Sequence, residues 1–492
     1  MNLSLLILVP LITAITVLLV RNQQQVKWVS FIGASIQVMI CLFLLVYYRN
    51  EMAAGNTAQM LFQQNHEWFP ALHIAFHVGV DGISVAMVLL TSFVVLAGVL
   101  VSWNIEKMTK EFYFLLHLLA VGAYGFFISL DLFLLFFFLE IAVIPKYLLI
   151  GIWGSGKKEY SANKLALMLM AGSALVLVGI LGLYFAGTEK TFDLLKISAN
   201  HIPVNIQLIC FPLLFVGFGV FSGLFPFHTW IPDGHSSAPT AGSMILAGIS
   251  MKLGGYGCLR VAVYLLPEGA KEYANIIIVL SVIGILYGAF VTMMQKDLKY
   301  INAYSSVSHC GFVLLGIGML TKTAITGAVI QMVSHGLMTA LFFAVIGMIY
   351  QRTHTRMIGE MSGLLNKLPF IITVLFIVGF CSLGLPGLSG FVAEVTVFMG
   401  SWEHPDAFHR IITILACMSI VVTAVYILRA VSKVSMGPMN ETFSHLKDAA
   451  WNEKLAAVIL LFGIITIGVA PFWLNDLIRP AAEIIMQKIT GG

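Results

Sequence analysis

Apolar runs of roughly 20 residues recur from one end of this chain to the other, and each is long enough to cross the hydrocarbon core of a bilayer. Fourteen can be marked, at 2–20, 27–48, 79–102, 111–130, 131–152, 163–186, 207–230, 239–265, 274–293, 300–319, 324–349, 368–399, 410–432 and 453–474. The longest connections are 49–78 and 433–452, and no soluble domain interrupts the series. Of the 492 residues, 59% are hydrophobic and only 10% are charged. A soluble domain carries about 25% charge, so this chain cannot build a water-facing surface. Backbone groups in lipid must be satisfied within the segment, and no alternating barrel pattern is visible. The sequence predicts an all-α polytopic membrane protein of about fourteen transmembrane helices.

The formal net charge of +4 comes without a basic block, which excludes nucleic acid as a partner. The six cysteines, Cys41, Cys210, Cys258, Cys310, Cys381 and Cys417, lie in apolar stretches and form no CxxC pair. They read as small hydrophobes rather than as ligands for a metal or cluster or as a disulfide framework. The first run, Leu3 to Val20, has no basic segment before it and no small-residue cleavage site after it, so it reads as a span rather than a signal peptide.

Orientation follows from Lys and Arg in the loops. With the N-terminus outside, 16 of them face the cytoplasm, among them Lys157, Lys164, Lys299 and Arg356, and 8 face outward. Lys146, Lys252 and Arg260 fall inside spans. The two-to-one bias places both termini on the outer side.

Two spans are interrupted. One holds LFPFHTWIPDGHSSAPTAG, with Pro226, Pro232 and Pro239; the other holds CSLGLPGLSGFVAE, with Gly384, Pro386, Gly387 and Gly390. Each is either an ordinary kink or a break lining a cavity, and a matched pair points to inverted repeats. The expected organisation is spans 1–3 at 1–110, a first five-helix repeat (spans 4–8) at 111–265, a second (spans 9–13) at 274–432, and span 14 with a tail at 433–492. Spans 7 and 12 are then the equivalent broken helices.

Intramembrane charges cost roughly 2.5–3.5 kcal/mol on insertion scales and are candidate functional residues by default. Here they are Glu140, Lys146, Lys252 and Glu394, joined by His228, His309 and His335 in or at the ends of spans. All can hold or release a proton. Moving one charge against about 150 mV costs about 3.5 kcal/mol, and making or breaking one buried ion pair can supply an effect of that size. Each also has a structural reading: a tie to a neighbouring helix for Glu140, Lys252 and Glu394, and a satisfied core residue for each histidine. Lys146 either serves the site or snorkels to the headgroups. Arg260 reads as an anchor for the outer end of its helix, and Asp81 as a helix N-terminal residue.

The motifs HVGVDGIS (77–84), FFFLEIAVIP (136–145), HTWIPDGHSSAPTAGSMILAGISMKLGGYGCLR (228–260), INAYSSVSHCGF (301–312), GAVIQMVSHGL (327–337) and LGLPGLSGFVAE (383–394) resemble the antiporter-like subunits of respiratory complex I over nearly the whole chain. The length is most similar to the M-type members, since the long C-terminal extension of the L-type is missing. The resemblance implies proton transfer through Glu140, Lys252, His309, His335 and Glu394, with Lys164 matching a lysine at the start of the sixth helix. It implies no cofactor in this chain, with flavin, iron–sulfur clusters and quinone in partner subunits. It also implies L- and N-type subunits as neighbours in the membrane; the overall flavour of the sequence points to a bacterial plasma membrane rather than a mitochondrial inner membrane. One position departs from the pattern. Where the family places a lysine in the seventh helix, seven residues before the HxW motif, this chain has Phe221, and no lysine lies between 197 and 251. Lys146, in the fifth helix, is the expected substitute, though six residues separate it from Glu140, about 9 Å of rise and about 120° of turn. The expected function is therefore proton pumping driven by NADH–quinone chemistry in partner subunits. A multi-subunit Na⁺/H⁺ antiporter subunit and a membrane-bound hydrogenase subunit are the alternatives. A non-conducting scaffold would have no use for the buried charges.

Overall fold

The computed structural model describes residues 1–187 and 189–491. Helices dominate it, and every one of the fourteen apolar segments coincides with a helix or an interrupted helix. Before the first break the helices are α1 (Leu5–Leu19), α2 (Gln23–Ala53), α3 (Gly82–Val101), α4 (Thr109–Ile128), α5 (Leu132–Trp153), α6 (Lys158–Ala186), the short α7 (Leu194–Ala199) and α8 (Val204–Ser222). After it come α9 (Trp230–Ser237), α10 (Thr240–Ile245), α11 (Met251–Gly257), α12 (Pro267–Met294), α13 (Leu298–Gly318) and α14 (Lys322–Thr353). The remainder are α15 (Pro369–Ser382), α16 (Ser389–Trp402), α17 (Ala407–Ser435), α18 (Trp451–Val469) and α19 (Phe472–Thr490). Ten of them, α2 to α6, α8, α12, α14, α17 and α18, are individually long and apolar enough to cross a bilayer.

The burial pattern sorts these helices into an inside and an outside. The apolar stretch of α14 is wholly enclosed by the other helices, while α2, α6, α17 and α18 turn most of theirs outward. A helix enclosed on every side has no lipid-facing surface to satisfy, so polar residues can sit on it as long as neighbours answer them. Gln331, Ser334, His335 and Thr339 do so, all buried on α14.

Both interrupted spans are broken. α8 ends at Gly223, whose φ of +84° closes the helix, and α9 resumes at Trp230 after a gap of irregular backbone. The Trp230 indole donates across that gap to the Val220 carbonyl at 2.9 Å. The second break runs from Leu383 to Leu388, with Gly384 and Gly387 at positive φ. There α16 restarts so close to the end of α15 that a Cβ on Gly390 would lie 2.0 Å from the Cys381 carbonyl oxygen. Only glycine allows that approach.

Several features depart from expectation. The 49–78 connection carries an antiparallel hairpin, β1 (Leu61–Phe69) with β2 (Ile74–Val80), so the fold is helical with one small sheet attached. The C-terminal tail forms α19, one face buried and the other exposed. The eighth span is not a regular helix: wide π turns at Leu246–Ser250 and Cys258–Val263 flank α11. Two basic residues were also misread. Arg260 does not reach the headgroups; it is buried and bonded to Asp81, which caps α3 by accepting from the Ser84 amide at 2.9 Å. Lys299, counted above with the cytoplasmic loop residues, is buried too and donates to the Ala238 carbonyl at 2.7 Å. Removing it leaves 15 against 8, so the charge bias stands.

Candidate proton-transfer site

A buried polar line begins in the segment between the two wide turns. Lys252, on α11, donates to the Ala247 carbonyl at 2.5 Å and to His335 Nδ1 on α14 at 2.8 Å. The His335 ring stacks on that of His309, on α13, with centroids 5.4 Å apart. His309 Nδ1 lies 3.3 Å from Glu394 Oε1 on α16 and 3.3 Å from the Gln331 amide nitrogen, and its Nε2 lies 3.1 Å from the Ser382 hydroxyl. Lys252, His335, His309 and Glu394 are all buried. The second break gives Glu394 its room: Gly384 has no side chain where a Cβ would lie 2.8 Å from Glu394 Oε2.

The line passes from a lysine through two imidazoles to a carboxylate. An imidazole can accept a proton on one nitrogen and release it from the other, so it relays without moving far. His335 Nε2, Gln331 Oε1 and both nitrogens of His235 are buried without a protein partner. Buried polar atoms are almost always hydrogen-bonded, and water is the partner of the right size in a polar site.

Lys146 and Glu140 lie together on α5, away from this line. Lys146 is 1% exposed, so it does not snorkel. Its ammonium stands 5.7 Å from the centroid of the Phe221 ring, over the residue that occupies the place of the family's lysine. Neither Lys146 Nζ nor Glu140 Oε1 has a hydrogen-bond partner among the described residues. Glu140 as a residue is only half-buried, although its Oε1 is enclosed. The hydroxyls of Ser222 and Ser250 are likewise buried and unpartnered, and the Ser222 backbone packs against Gly254, two residues from Lys252. Unpaired polar atoms thus run from α5 toward α11.

Lys164 is apart from both groups. It pairs with Asp233 of α9 at 2.7 Å, each about a quarter exposed. Asp233 lines an open cleft of about 620 Å³ together with Tyr160, Ser237, Tyr300 and Arg356. The structure therefore joins Lys252, His335, His309 and Glu394, sets Glu140 and Lys146 as a second group, and puts Lys164 at a mouth. His228 is buried with its ring against Phe225, outside these groups. Sequence reasoning passed over Asp233, His235 and Lys299. The first two sit in the DGH of the broken span, where two titratable residues in an apolar segment were a usable signal.

A family model described as "NADH:quinone oxidoreductase/Mrp antiporter, TM" matches residues 129–423, more than half of the chain. The chain belongs to this family. Among its relatives is NAD(P)H-quinone oxidoreductase chain 4 of Gloeobacter violaceus, 35% identical over 487 residues, which span 98% of this chain and 92% of the relative. A second is NAD(P)H-quinone oxidoreductase chain 4 1 of Synechococcus elongatus, 37% identical over 94% of this chain and 87% of the relative. A chain of respiratory complex I from Thermus thermophilus superposes with a TM-score of 0.90 at 25% identity over 99% of both chains. A chain of the Mrp complex from Dietzia sp. shares the fold, at a TM-score of 0.85 and 18% identity over 99% of this chain and 98% of that one. These similarities make the chain an antiporter-like, multi-pass membrane subunit of the NADH–quinone oxidoreductase type.

Glycine at 384 gives the site a prediction. A Gly384→Ala variant is expected to lose pumping about as far as Glu394→Gln does, because the methyl group takes the space of the carboxylate at a backbone φ of +75°. Combining the two is expected to add little. Initial rates of acidification in reconstituted vesicles check this, and normal pumping by Gly384→Ala would sink the role given to that contact.

Proposed function

We propose that this chain is the M-type proton-translocating subunit in the membrane arm of an NADH:quinone oxidoreductase. The observation that carries the reading is the buried line in which Lys252 bonds His335, the His335 ring stacks on His309, and His309 lies beside Glu394. It is supported by relatives named as chain 4 of quinone oxidoreductases. Protons enter past the Lys164–Asp233 cleft, wait on Lys252, and leave by way of Glu394. Glu140 and Lys146 form the input gate: when the pair opens or closes, the field at Lys252 changes, and the lysine takes up or passes on its proton. The half-buried Glu140 carries the signal from a neighbouring subunit, with L- and N-type subunits on either side. This chain supplies no redox centre; flavin, iron–sulfur clusters and quinone belong to partner subunits. The assembly sits in a bacterial plasma membrane with both termini of this chain on the periplasmic side.

Extraction of the tagged chain in mild detergent tests the reading directly. Comigration with a very large assembly that oxidises NADH with quinone is the expected result. Arrival with only a few small membrane proteins and no NADH activity would replace it with a Na⁺/H⁺ antiporter subunit.

A further inference from the structure

The turn between α16 and α17 gathers His404, Asp406 and His409. Among the described residues this is the one place where three potential metal-ligand atoms come within 4.8 Å of one another. The two imidazole rings are nearly parallel, with centroids 4.0 Å apart. Their contacts settle which nitrogens face the cluster. His404 Nε2 lies 2.8 Å from the Met319 carbonyl, which can only accept, so this nitrogen carries the proton and Nδ1 is left with its lone pair. His409 Nδ1 lies 2.7 Å from Asp406 Oδ2, so an ion shared by these two atoms takes the place of the proton between them. His404, which donates one N–H to a carbonyl and presents the other nitrogen, has the arrangement of metal-bound histidine. The three residues stand on different structural supports: His404 just past the end of α16, Asp406 capping α17, and His409 in the first turn of α17.

We propose that His404, Asp406 and His409 form a binding site for a borderline divalent cation such as Zn²⁺. Two nitrogens and a carboxylate exclude Ca²⁺ and Mg²⁺, which take oxygen, and suit Zn²⁺ with water in the fourth position. Bonds of about 2.0–2.1 Å set tetrahedral ligands about 3.3 Å apart, so the site is completed by shifts of no more than about 1.5 Å together with a turn of one stacked imidazole that brings its lone pair onto the ion. Asp406 is exposed and both histidines are partly so, which leaves the ion a direct path from water. The position gives occupancy a mechanical effect. His404 touches the carbonyl that ends the His309 helix, and the Thr321 hydroxyl donates to the Gly400 carbonyl at 3.0 Å, so the ends of α13, α14, α16 and α17 meet here. Glu394 lies ten residues back along α16, about 15 Å away. A bound ion fastens α16, the support of the terminal carboxylate, to α17.

Zn²⁺ titration of the purified assembly, stripped first with chelator, tests the site without reference to pumping, so its failure is separate from any failure of the proposed function. The expected result is one high-affinity site that disappears in His404→Ala. Asp406→Asn keeps the helix cap and both imidazoles, and is expected to weaken the site about 10- to 100-fold. This exposed substitution keeps the proposal testable if His404→Ala disturbs assembly. Equal Zn²⁺ stoichiometry and affinity in wild type and Asp406→Asn would overturn it.

Discussion

A Lys146→Met variant is expected to pump at less than about a tenth of the wild-type rate, a loss of at least about 1.4 kcal/mol at the limiting step. Adding Phe221→Lys to the same chain is expected to recover most of the loss. The argument rests on where the ammonium ends. Lys146 rises from α5 and is buried, with no hydrogen-bond acceptor among the described residues and the face of Phe221 at 5.7 Å. A desolvated cation–π contact is worth about 2 kcal/mol, against several kcal/mol for removing an ammonium from water. Stability does not explain a lysine held this way. The replacement by Met, similar in length and apolar, is therefore expected to leave thermal stability equal or higher while pumping falls. That split separates a functional lysine from a structural one. The double variant asks a further question, whether the site needs a cation at this place or from this particular helix. Wild-type pumping by Lys146→Met, measured as the proton-to-electron ratio in vesicles, would remove Lys146 from the mechanism.

The second large effect concerns stability. Asp81 and Arg260 form an ion pair in which both side chains are less than 5% exposed. Breaking such a pair strands one charge and costs about 3–5 kcal/mol, whereas replacing both partners can be close to neutral. Asp81→Asn preserves the cap on α3, since asparagine serves there as well as aspartate, so its cost reports the charge alone. Asp81→Asn and Arg260→Met are each expected to lower the melting temperature of the assembly by several degrees, and the double variant to regain most of the loss. The guanidinium also lies over the Tyr256 ring, whose hydroxyl donates to the Phe127 carbonyl at 3.1 Å and meets Ser84 at 2.9 Å. The pair thus ties α3 to the span that bears Lys252. Costs that simply add in the double variant would mean that the two charges do not stabilise each other.

The spans, the two breaks and the residues of the central line were readable in the sequence because the bilayer makes each charge, proline or glycine cluster within an apolar run conspicuous. Lys252 and Glu394 stand out for that reason alone. What stayed hidden depends on partners far away in the chain. Arg260 at the end of an apolar run has the same local pattern as a headgroup anchor, and only Asp81, 179 residues earlier, makes it a core residue. Lys299 follows Asp297 at a helix start and reads as a loop lysine until the Ala238 carbonyl is placed beside it. The hairpin turns at Pro70–Leu72 and His73, with His73 at a φ of 55°, so the Asn-Gly type of signal is missing. The wide turns in the eighth span, LAGIS and CLRVAV, share no residue pattern and no periodicity that would mark them.

Those wide turns set the phase of the eighth span. A π turn holds one residue more than an α turn, so the face that later residues present is shifted by about 100°. Met251–Gly257 lies between two such shifts, at Leu246–Ser250 and Cys258–Val263. Lys252 therefore faces where the turns aim it, with the Ala247 carbonyl of the first turn accepting from its ammonium at 2.5 Å. Gly254 and Gly257, close against the Ser222 backbone and the Phe218 ring, hold the segment in that phase.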